Sequence, residues 1–530
     1  MTYKKTQVYL GFFIIINSKK MNLTKKVYEL YLENNQRICI DSRSKKIKNS
    51  IFFAIKGERF NGNDFIKDAL RNGAKLIITD EKTQENKSII LVEDSLQTLQ
   101  NIAEMHRSKF NIQIIAITGS NGKTTTKDIL HHLIKSTYNT CSTKGNLNNH
   151  IGVPLTILSL KKKHTAAIIE MGANHIGEIK QLCKIAQPTH GIITNIGSAH
   201  IGEFGGIKNI KKAKNELFDH LKKTDGVIIY NEEDPILQSL VNNYKKISTY
   251  KIPTYHKETT LKTKLEKYTC TPFISIYTPN NNRKITTKIL GKHNINNLVS
   301  AIKIAELLKV DNEKIVDCLK QFQLKNNRSE FICTKHNEVI LDAYNANPNS
   351  MSSGIINFLE IHRFLKNKQQ LFILGDMLEL GENEVDYHQD IINLLKKKNV
   401  KDCILIGDIF EKTKTCKSYT KVKSTERCKE ILRKKNIKNT SIFIKGSRKL
   451  TLESCIDFFI KIKIIVSFLF KAHLKQRDSQ ELKHTDEKII GHASRGKEER
   501  SSIPQNAINT QNKQKLSRRQ RRAQERKMKR

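Results

Sequence analysis

Tryptophan is absent from the 530 residues, and acidic residues are scarce, 52 against 94 lysines and arginines. None of the ten cysteines (positions 39, 141, 183, 270, 318, 333, 403, 416, 428 and 455) forms a C-x-x-C pair, which removes the common zinc and dithiol spacings. Scattered cysteines in a chain this long read as reduced thiols, so a cytoplasmic location is expected. Long hydrophobic runs are missing too. Val8–Ile16, after Lys4 and Lys5, resembles a signal core, but no small-x-small cleavage site follows and the run is too short to span a bilayer. Residues 1–20 are therefore read as a start-site extension ahead of Met21, with neither export nor a membrane partner expected.

The shortage of acid leaves a formal net charge of +42. Such a balance invites a nucleic-acid partner. In most of the chain, however, the lysines are scattered, and together with abundant Asn and Ile they read as a coding bias toward solvated lysines. No nucleic acid is expected on the body. The tail differs, because nine arginines fall after residue 465 and only eleven before it. Residues 515–530 form a basic polar run with almost no apolar face, a composition that does not fold alone. It could contact RNA or an acidic surface, or be an appended tail without a role.

At 38% hydrophobic residues the chain can build a sizeable core, and its length suits three or four domains. Residues 21–106 hold a small mixed module with Asp41-Ser42-Arg43, a strand at Ile51–Ile55 and a polar turn from Lys56 to Phe65. Residues 107–323 alternate strands (112–118, 166–170, 191–195, 227–230) with helices, which predicts a mostly parallel sheet covered on both faces. Thr260–Thr287 reads as an antiparallel hairpin around Phe273–Tyr277. Residues 324–465 repeat the parallel style with strands at 339–342, 371–375, 403–407 and 441–445. The tail occupies 466–530.

The most telling stretch is Ile114–Ile117 running into Thr118-Gly119-Ser120-Asn121-Gly122-Lys123-Thr124-Thr125. A β-branched strand, a glycine-bracketed turn and a helix start make a phosphate site. Glycines let backbone N–H groups curl around phosphate oxygens, and the helix N-terminus adds positive potential. Lys123 can reach terminal phosphates, and the Thr124 hydroxyl can sit on Mg²⁺. The loop is shorter than the standard P-loop, which would need glycine at Ile117. Glu170 ends an apolar strand, where a parallel sheet opens its ligand crevice, and a carboxylate there suits Mg²⁺. Read alone, Glu170 is equally a solvated strand end, His200 a structural histidine and Lys214 part of a solvated helix face. The amide-rich Gly145–Thr156 loop, Gly291–Asn297 and Asp342–Pro348 are each plausible caps or turns.

Together these blocks resemble one family, the Mur ligases. The Thr118–Thr126 loop, Glu170-Met171-Gly172-Ala173, Ile193–Gly197 with His200, and Gly291-x-His293-Asn294 are shared across it in some form. Tyr344-Asn345-Ala346-Asn347-Pro348, Leu374–Gly381 and Lys445-Gly446-Ser447-Arg448 look specific to the members that add D-alanyl-D-alanine. The resemblance spans about residues 21–460. It implies an α/β fold in three domains, with a central P-loop ATPase parallel sheet and a C-terminal Rossmann-like domain. It implies ATP and Mg²⁺ as cofactors, and UDP-N-acetylmuramoyl-tripeptide and D-Ala-D-Ala as small-molecule partners of a monomer. Ser42, Arg43, Arg59 and Asn63 would hold the UDP-sugar, and Asn148, Asn345 and Asn347 would approach substrate. Gly119, Ser120, Asn121, Gly122, Lys123, Thr124, Thr125, His293, Asn294, Asn297, Arg328 and Asp342 would line the nucleotide site. Thr124, Glu170, His200 and Lys214 would hold magnesium, with Lys214 as a carbamate. Lys123, Lys214 and His200 would be catalytic.

The implied reaction activates a carboxylate as an acyl phosphate, which an amine then attacks. Two departures stand out. Ser198 replaces a frequent proline, and Arg328 lacks the glycine often found before it, which weakens its assignment. Another Mur ligase or a folylpolyglutamate synthase would share the ATPase core, but the third-module blocks argue against both. An NTP-dependent nucleic-acid protein would need basic patches and aromatic platforms in the body.

Overall fold

An apolar run such as Ile114–Ile117 must be covered on both sides, and the strand Gln113–Thr118 sits at the middle of a six-stranded parallel sheet. The order across the sheet is Ile247–Tyr250, Val227–Asn231, His190–Ile193, Gln113–Thr118, Ala166–Glu170, Thr140–Ser142. Alternate side chains enter two separate cores. Ile114, Ala116, Ala167 and Ile169 face one, with Leu99, Leu182 and Leu217 from the covering helices. Ile115, Ile117, Ala166 and Ile168 face the other, with Leu130 and Leu133 of helix Lys123–Ile134 and Leu298 of helix Ile295–Leu307. The chain leaves Gln113–Thr118 first to one side and then to the other. Such a reversal opens a crevice at the carboxyl ends of the strands.

This computed structural model describes residues 22–58, 60–84, 86–197, 201–252, 267–270, 272–277, 284–435 and 437–459. The expectations for Arg59, Ser198 and His200, for the extension 1–20 and for the tail 466–530 lie outside the described residues. Among the described residues no helix is long and apolar enough to cross a membrane.

The first module is a four-stranded parallel sheet, Ile38–Cys39, Ile51–Phe53, Leu76–Thr79 and Ile89–Leu91. It shares a core with the central sheet, because Val27, Tyr31, Phe53 and Ile78 join the cluster that holds Ile114 and Ile169. Arg107, at the end of helix Ser95–Arg107, fastens the junction. Buried, it donates to the carbonyls of Ala186 (2.8 Å), Phe110 (2.6 Å) and Gln187 (3.1 Å).

Within the expected antiparallel hairpin over Thr260–Thr287, residues 260–266, 271 and 278–283 lie outside the described residues, and the rest belongs to a three-stranded antiparallel sheet, Lys267–Cys270, Phe273–Tyr277 and Lys284–Leu290. Its last strand runs past Thr287 because Ile289 and Leu290 are buried, Ile289 in the second core. The last module has a six-stranded sheet, Glu330–Cys333, Glu338–Asp342, Thr440–Lys445, Gln369–Gly375, Cys403–Ile406, Tyr419–Val422, parallel except for its first strand. The four inner strands match the sequence expectation, while the two edge strands were not anticipated. An edge strand carries less of the continuous apolar run that marks a buried one.

Candidate active site

The loop after Gln113–Thr118 depends on two glycines. Gly119 has φ +140°, and a Cβ there would lie 2.1 Å from Thr194 Oγ1; Gly122 has φ +84°, and a Cβ there would lie 2.2 Å from Asn297 Oδ1. Bare backbone at both positions lets neighbouring segments press onto the loop. Asn195, just past the end of the adjacent strand, clamps Asn121 twice, accepting from its N–H (3.0 Å) and donating to its carbonyl (2.9 Å). Thr194 Oγ1 donates to the same carbonyl at 2.6 Å, and Ser120 and Gly197 exchange bonds of 3.0 and 2.9 Å. The clamp fixes the loop before any ligand arrives.

Lys123 opens the following helix and folds back onto its own loop, donating to Gly119 O (2.6 Å) and Ser120 O (3.3 Å). Burial pushes its pKa down, Glu170 opposes that, and Arg328 adds to it. Glu170 is 1% exposed. Its Oε1 accepts from Thr124 Oγ1 (3.0 Å) and Asn148 Nδ2 (2.7 Å). Its Oε2 has no hydrogen-bond partner, and Lys127 Nζ lies 3.6 Å away. A buried carboxylate oxygen left open beside a hydroxyl is a hard-oxygen set, which suits Mg²⁺ with phosphate and water oxygens completing the shell. Among the described residues no group of three His, Cys, Asp or Glu side chains gathers to hold a metal by itself.

Lys214 lies beneath this wall on helix Ile207–Lys223, 3% exposed, with Nζ 3.4 Å from Ala173 O and 5.3 Å from the Phe204 ring centre. Burial first and Lys123 second bring its pKa down to about 7, against the pull of Glu178 and Glu216. The charged run around it reads alone as a solvated helix face, whereas Ala213, Lys214 and Leu217 are buried on the inner one.

The opposite wall comes from helix Ile295–Leu307 and the last module. Asn297 accepts from Thr126 Oγ1 (3.3 Å) and donates to Asn294 Oδ1 (3.0 Å). His293 meets Ser329 Oγ through Nε2 (3.1 Å) and Asn357 Nδ2 through Nδ1 (2.7 Å), and burial lowers its pKa, which keeps it neutral. Asn347 Nδ2 reaches back to Asn121 Oδ1 at 2.9 Å. Arg328 stacks on Tyr344, its guanidinium carbon 3.7 Å from the ring centre, and its Nε has no partner. The loop beneath it turns without the missing glycine because Asn326 and Asn327 adopt φ +62° and +60°. Asn tolerates this left-handed region better than other side chains. Asp342 Oδ1 accepts from Ser329 N (3.1 Å), and Oδ2 accepts from Lys445 Nζ (2.6 Å).

These walls enclose a cleft of about 710 Å³. It brings together Ser120, Asn121, Gly122, Lys123, Thr124, Thr125, Asn148, Glu170, His293, Asn294, Asn297, Arg328, Asp342, Asn345 and Asn347. It does not bring in the first-module candidates. Arg43 is exposed and paired with Asp41 (3.0 Å), which raises its pKa. Ser42 is buried. Asn63 uses its amide within its own module, donating to Asp80 (2.9 Å) and accepting from Thr79 (2.7 Å). Sequence reasoning did not assign Asn195, Lys127, Tyr344 or Lys445 to the site. Lys445 ends an apolar strand, the position that singles out Glu170, and Asn195 lies two residues past the end of His190–Ile193. The block Leu374–Gly381 stays out of the cleft as a brace. The Asp376 carboxylate accepts from the N–H groups of Ile409 and Phe410 (2.9 Å each), and Ser447 Oγ accepts from Leu378 N (3.2 Å).

Three family models match the chain in succession: Mur ligase family, catalytic domain (36–112), Mur ligase middle domain (117–305), and Mur ligase, glutamate ligase domain (327–448). The UDP-N-acetylmuramoyl-tripeptide--D-alanyl-D-alanine ligase of Buchnera aphidicola subsp. Baizongia pistaciae is 33% identical over 427 residues, covering 78% of this chain and 89% of that protein. Crystal structure I of MurF from Acinetobacter baumannii superposes with a TM-score of 0.69 at 28% identity, over 80% of this chain and 93% of that one. MurF ligase from Thermotoga maritima in complex with ADP gives 0.67 at 28%, over 80% and 96%.

Proposed function

The chain belongs to the Mur ligase family, and we propose that its cleft couples ATP cleavage to amide formation between UDP-N-acetylmuramoyl-tripeptide and D-alanyl-D-alanine. It is an ATP-dependent ligase of peptidoglycan precursor synthesis. The observation that carries the reading is the Asn347–Asn121 bond, 2.9 Å long, in which the Tyr344–Pro348 block, which resembles that of the dipeptide-adding members, meets the phosphate loop.

Asn195 already holds the N–H groups of Ser120 and Asn121, so those of Gly122, Lys123, Thr124 and Thr125, ahead of the first helical bond from Thr126 N to Gly122 O (2.8 Å), receive the ATP phosphates in this reading. Lys123 leaves its carbonyl partners for the γ-phosphate, neutralising charge as the tripeptide carboxylate attacks phosphorus and ADP departs. Arg328 approaches from the opposite wall with an open N–H. The amine of D-Ala-D-Ala then attacks the acyl phosphate carbonyl, loses a proton and expels phosphate. His293, Asn294 and Asn297 line the nucleotide side, while Asn148, Asn345 and Asn347 line the substrate side. Water must be excluded, since it would hydrolyse the acyl phosphate.

Bound Mg²⁺ would supply positive charge to the transferring phosphoryl oxygens. Thr124 and Glu170 would hold it, joined by His200 and by Lys214 as a carbamate. A Lys214 amine with a pKa near 7 is largely neutral at slightly alkaline pH, the form able to add CO₂ and become a carbamate. In the same reading residues 21–106 take the UDP-sugar through Ser42, Arg43, Arg59 and Asn63. Residues 107–323 carry the ATPase, and 324–465 close over it in a cytoplasmic monomer. The test is phosphate release from ATP and Mg²⁺ with the UDP-tripeptide, with and without D-Ala-D-Ala. Release needing both, with UDP-pentapeptide formed, is expected. A folded enzyme whose release ignores the dipeptide would overturn the substrate assignment.

A further inference from the structure

Strand Thr440–Lys445 is buried along its whole length and lies between Glu338–Asp342 and Gln369–Gly375. After Ile442, Phe443 and Ile444 it ends in a lysine that is 2% exposed. A charge at the end of a central apolar strand needs a partner. Register supplies it, because Lys445 pairs directly with Asp342 on the parallel neighbour. The ammonium donates to Asp342 Oδ2 (2.6 Å) and Asn345 O (3.2 Å). Gly354 of the overlying helix lets the lysine stem pass: a Cβ there would lie 3.2 Å from Lys445 Cδ.

The other carboxylate oxygen of Asp342 accepts from Ser329 N at 3.1 Å. Ser329 closes the turn that carries Arg328; its Oγ also meets His293 Nε2 (3.1 Å), while Asp342 is the group that holds its backbone N–H. Asn326, Asn327 and Ser329 all have positive φ (+62°, +60° and +47°), and Asn327 N reaches Glu330 only at 3.4 Å. Arg328 itself is stacked on Tyr344 with Nε unpartnered. One carboxylate therefore links a buried ammonium to the turn that presents the arginine.

We propose that Lys445 is a positioning residue for phosphoryl transfer. Its ammonium locks Asp342, Asp342 locks the 326–329 turn, and the turn holds Arg328 where the γ-phosphate arrives. The inference rests on the ligase reading for the role of Arg328, and it gives the Lys445-Gly446-Ser447-Arg448 block a task that fold stability alone does not. Without the ammonium, Asp342 keeps only its bond to Ser329 N, and the carboxylate, the turn and the arginine can shift together. A displacement of about 1 Å at a reacting group costs on the order of 100-fold in rate.

The test is a double-mutant cycle in the full chain with Lys445→Met, Lys445→Arg, Arg328→Ala and the Lys445→Met/Arg328→Ala pair. Readouts are kcat, KM for ATP and D-Ala-D-Ala, and thermal midpoint. Lys445→Met should lower kcat between about 10- and 100-fold while leaving KM for D-Ala-D-Ala within about twofold. Lys445→Arg should recover most of the loss. In the Arg328→Ala background Lys445→Met should cost no more than about twofold, because the residue it acts through is gone. Unchanged kcat in Lys445→Met, or losses that multiply in the double variant, would overturn the proposal. If Lys445→Met does not fold, Lys445→Gln enters the same cycle. Wild-type enzyme that releases no dipeptide-dependent phosphate would fail the ligase reading instead. The coupling is then read from ATP affinity by calorimetry across the same variants, and independent losses there would overturn it.

Discussion

Asn347→Ser separates two jobs that one side chain performs. Asn347 is the N-cap of helix Pro348–His362: its Oδ1 accepts from Ser350 N at 2.9 Å, and Ser350 Oγ answers by accepting from Asn347 N at 3.0 Å. Its Nδ2 makes the 2.9 Å bond to Asn121 across 226 residues of sequence. Serine caps a helix about as well as asparagine, so the first job survives the substitution, but it is too short for the second. Alanine loses both. A neutral hydrogen bond contributes about 1 kcal/mol. Asn121 is only part-buried, so its freed oxygen can be hydrated and little further penalty arises.

Both variants should therefore lose about fivefold in kcat/KM, since about 1.4 kcal/mol is a factor of ten. They should differ in stability, with Asn347→Ala about 1 kcal/mol below Asn347→Ser for the missing cap. The assays are initial rates of dipeptide-dependent phosphate release and urea unfolding followed by circular dichroism. A fully active Asn347→Ser would refute the energetic role of the bridge. Equal stability of the two variants would refute the cap. Asn121→Ala supplies the control, because Asn347→Ser placed on top of it should cost almost nothing more.

Gly122→Ala forces a side chain into φ +84° and within 2.2 Å of Asn297 Oδ1; ATP affinity by calorimetry should fall by more than about tenfold in a folded protein, with strain on the order of 1–3 kcal/mol. Glu170→Gln should raise the Mg²⁺ concentration for half-maximal rate between about 10- and 100-fold, the range seen when a metal site loses a supporting interaction, and an unchanged titration would remove Glu170 from the metal site. His388 is wholly buried and accepts from Met377 N through Nε2 (2.9 Å), so Nδ1 carries the proton given to Glu384 O (2.6 Å). Burial brings its pKa down to about 4, with Glu384 opposing and the Asp376 carboxylate 3.6 Å away. The unfolded chain then binds the extra proton between about pH 6.5 and 4, so the stability contribution falls as pH drops through that window, by roughly 3 kcal/mol in all. The raised pKa of Asp376 acts with the opposite sign, from the ordinary carboxylate range upward. His388→Asn should flatten the unfolding free energy between pH 6.5 and 4; an unaltered slope would exclude His388 as its source.

Much of this molecule is written locally. Ile114–Ile117, Ala166–Ile169 and Ile442–Ile444 announce buried parallel strands because nothing polar interrupts them, and the strand-end rule then locates Glu170. The same rule would have found Asn195 and Lys445, but there composition obscured it. In a chain this rich in Asn and Lys, an amide or ammonium at a strand end carries little surprise. Asn121, Asn148, Asn195, Asn294, Asn297 and Asn347 nonetheless converge on one cleft. Their partners lie up to 226 residues apart, so only the sheet order makes them neighbours. The Arg328 turn inverts the lesson. The absent glycine suggested a weakened site, yet two of those asparagines of apparent bias, Asn326 and Asn327, supply the left-handed backbone that glycine would have given. A composition that conceals the active site also builds it. A substitution to β-branched valine at Asn327 should therefore damage Arg328 placement, where Asn327→Gly should be tolerated, a contrast that kcat for phosphate release can decide.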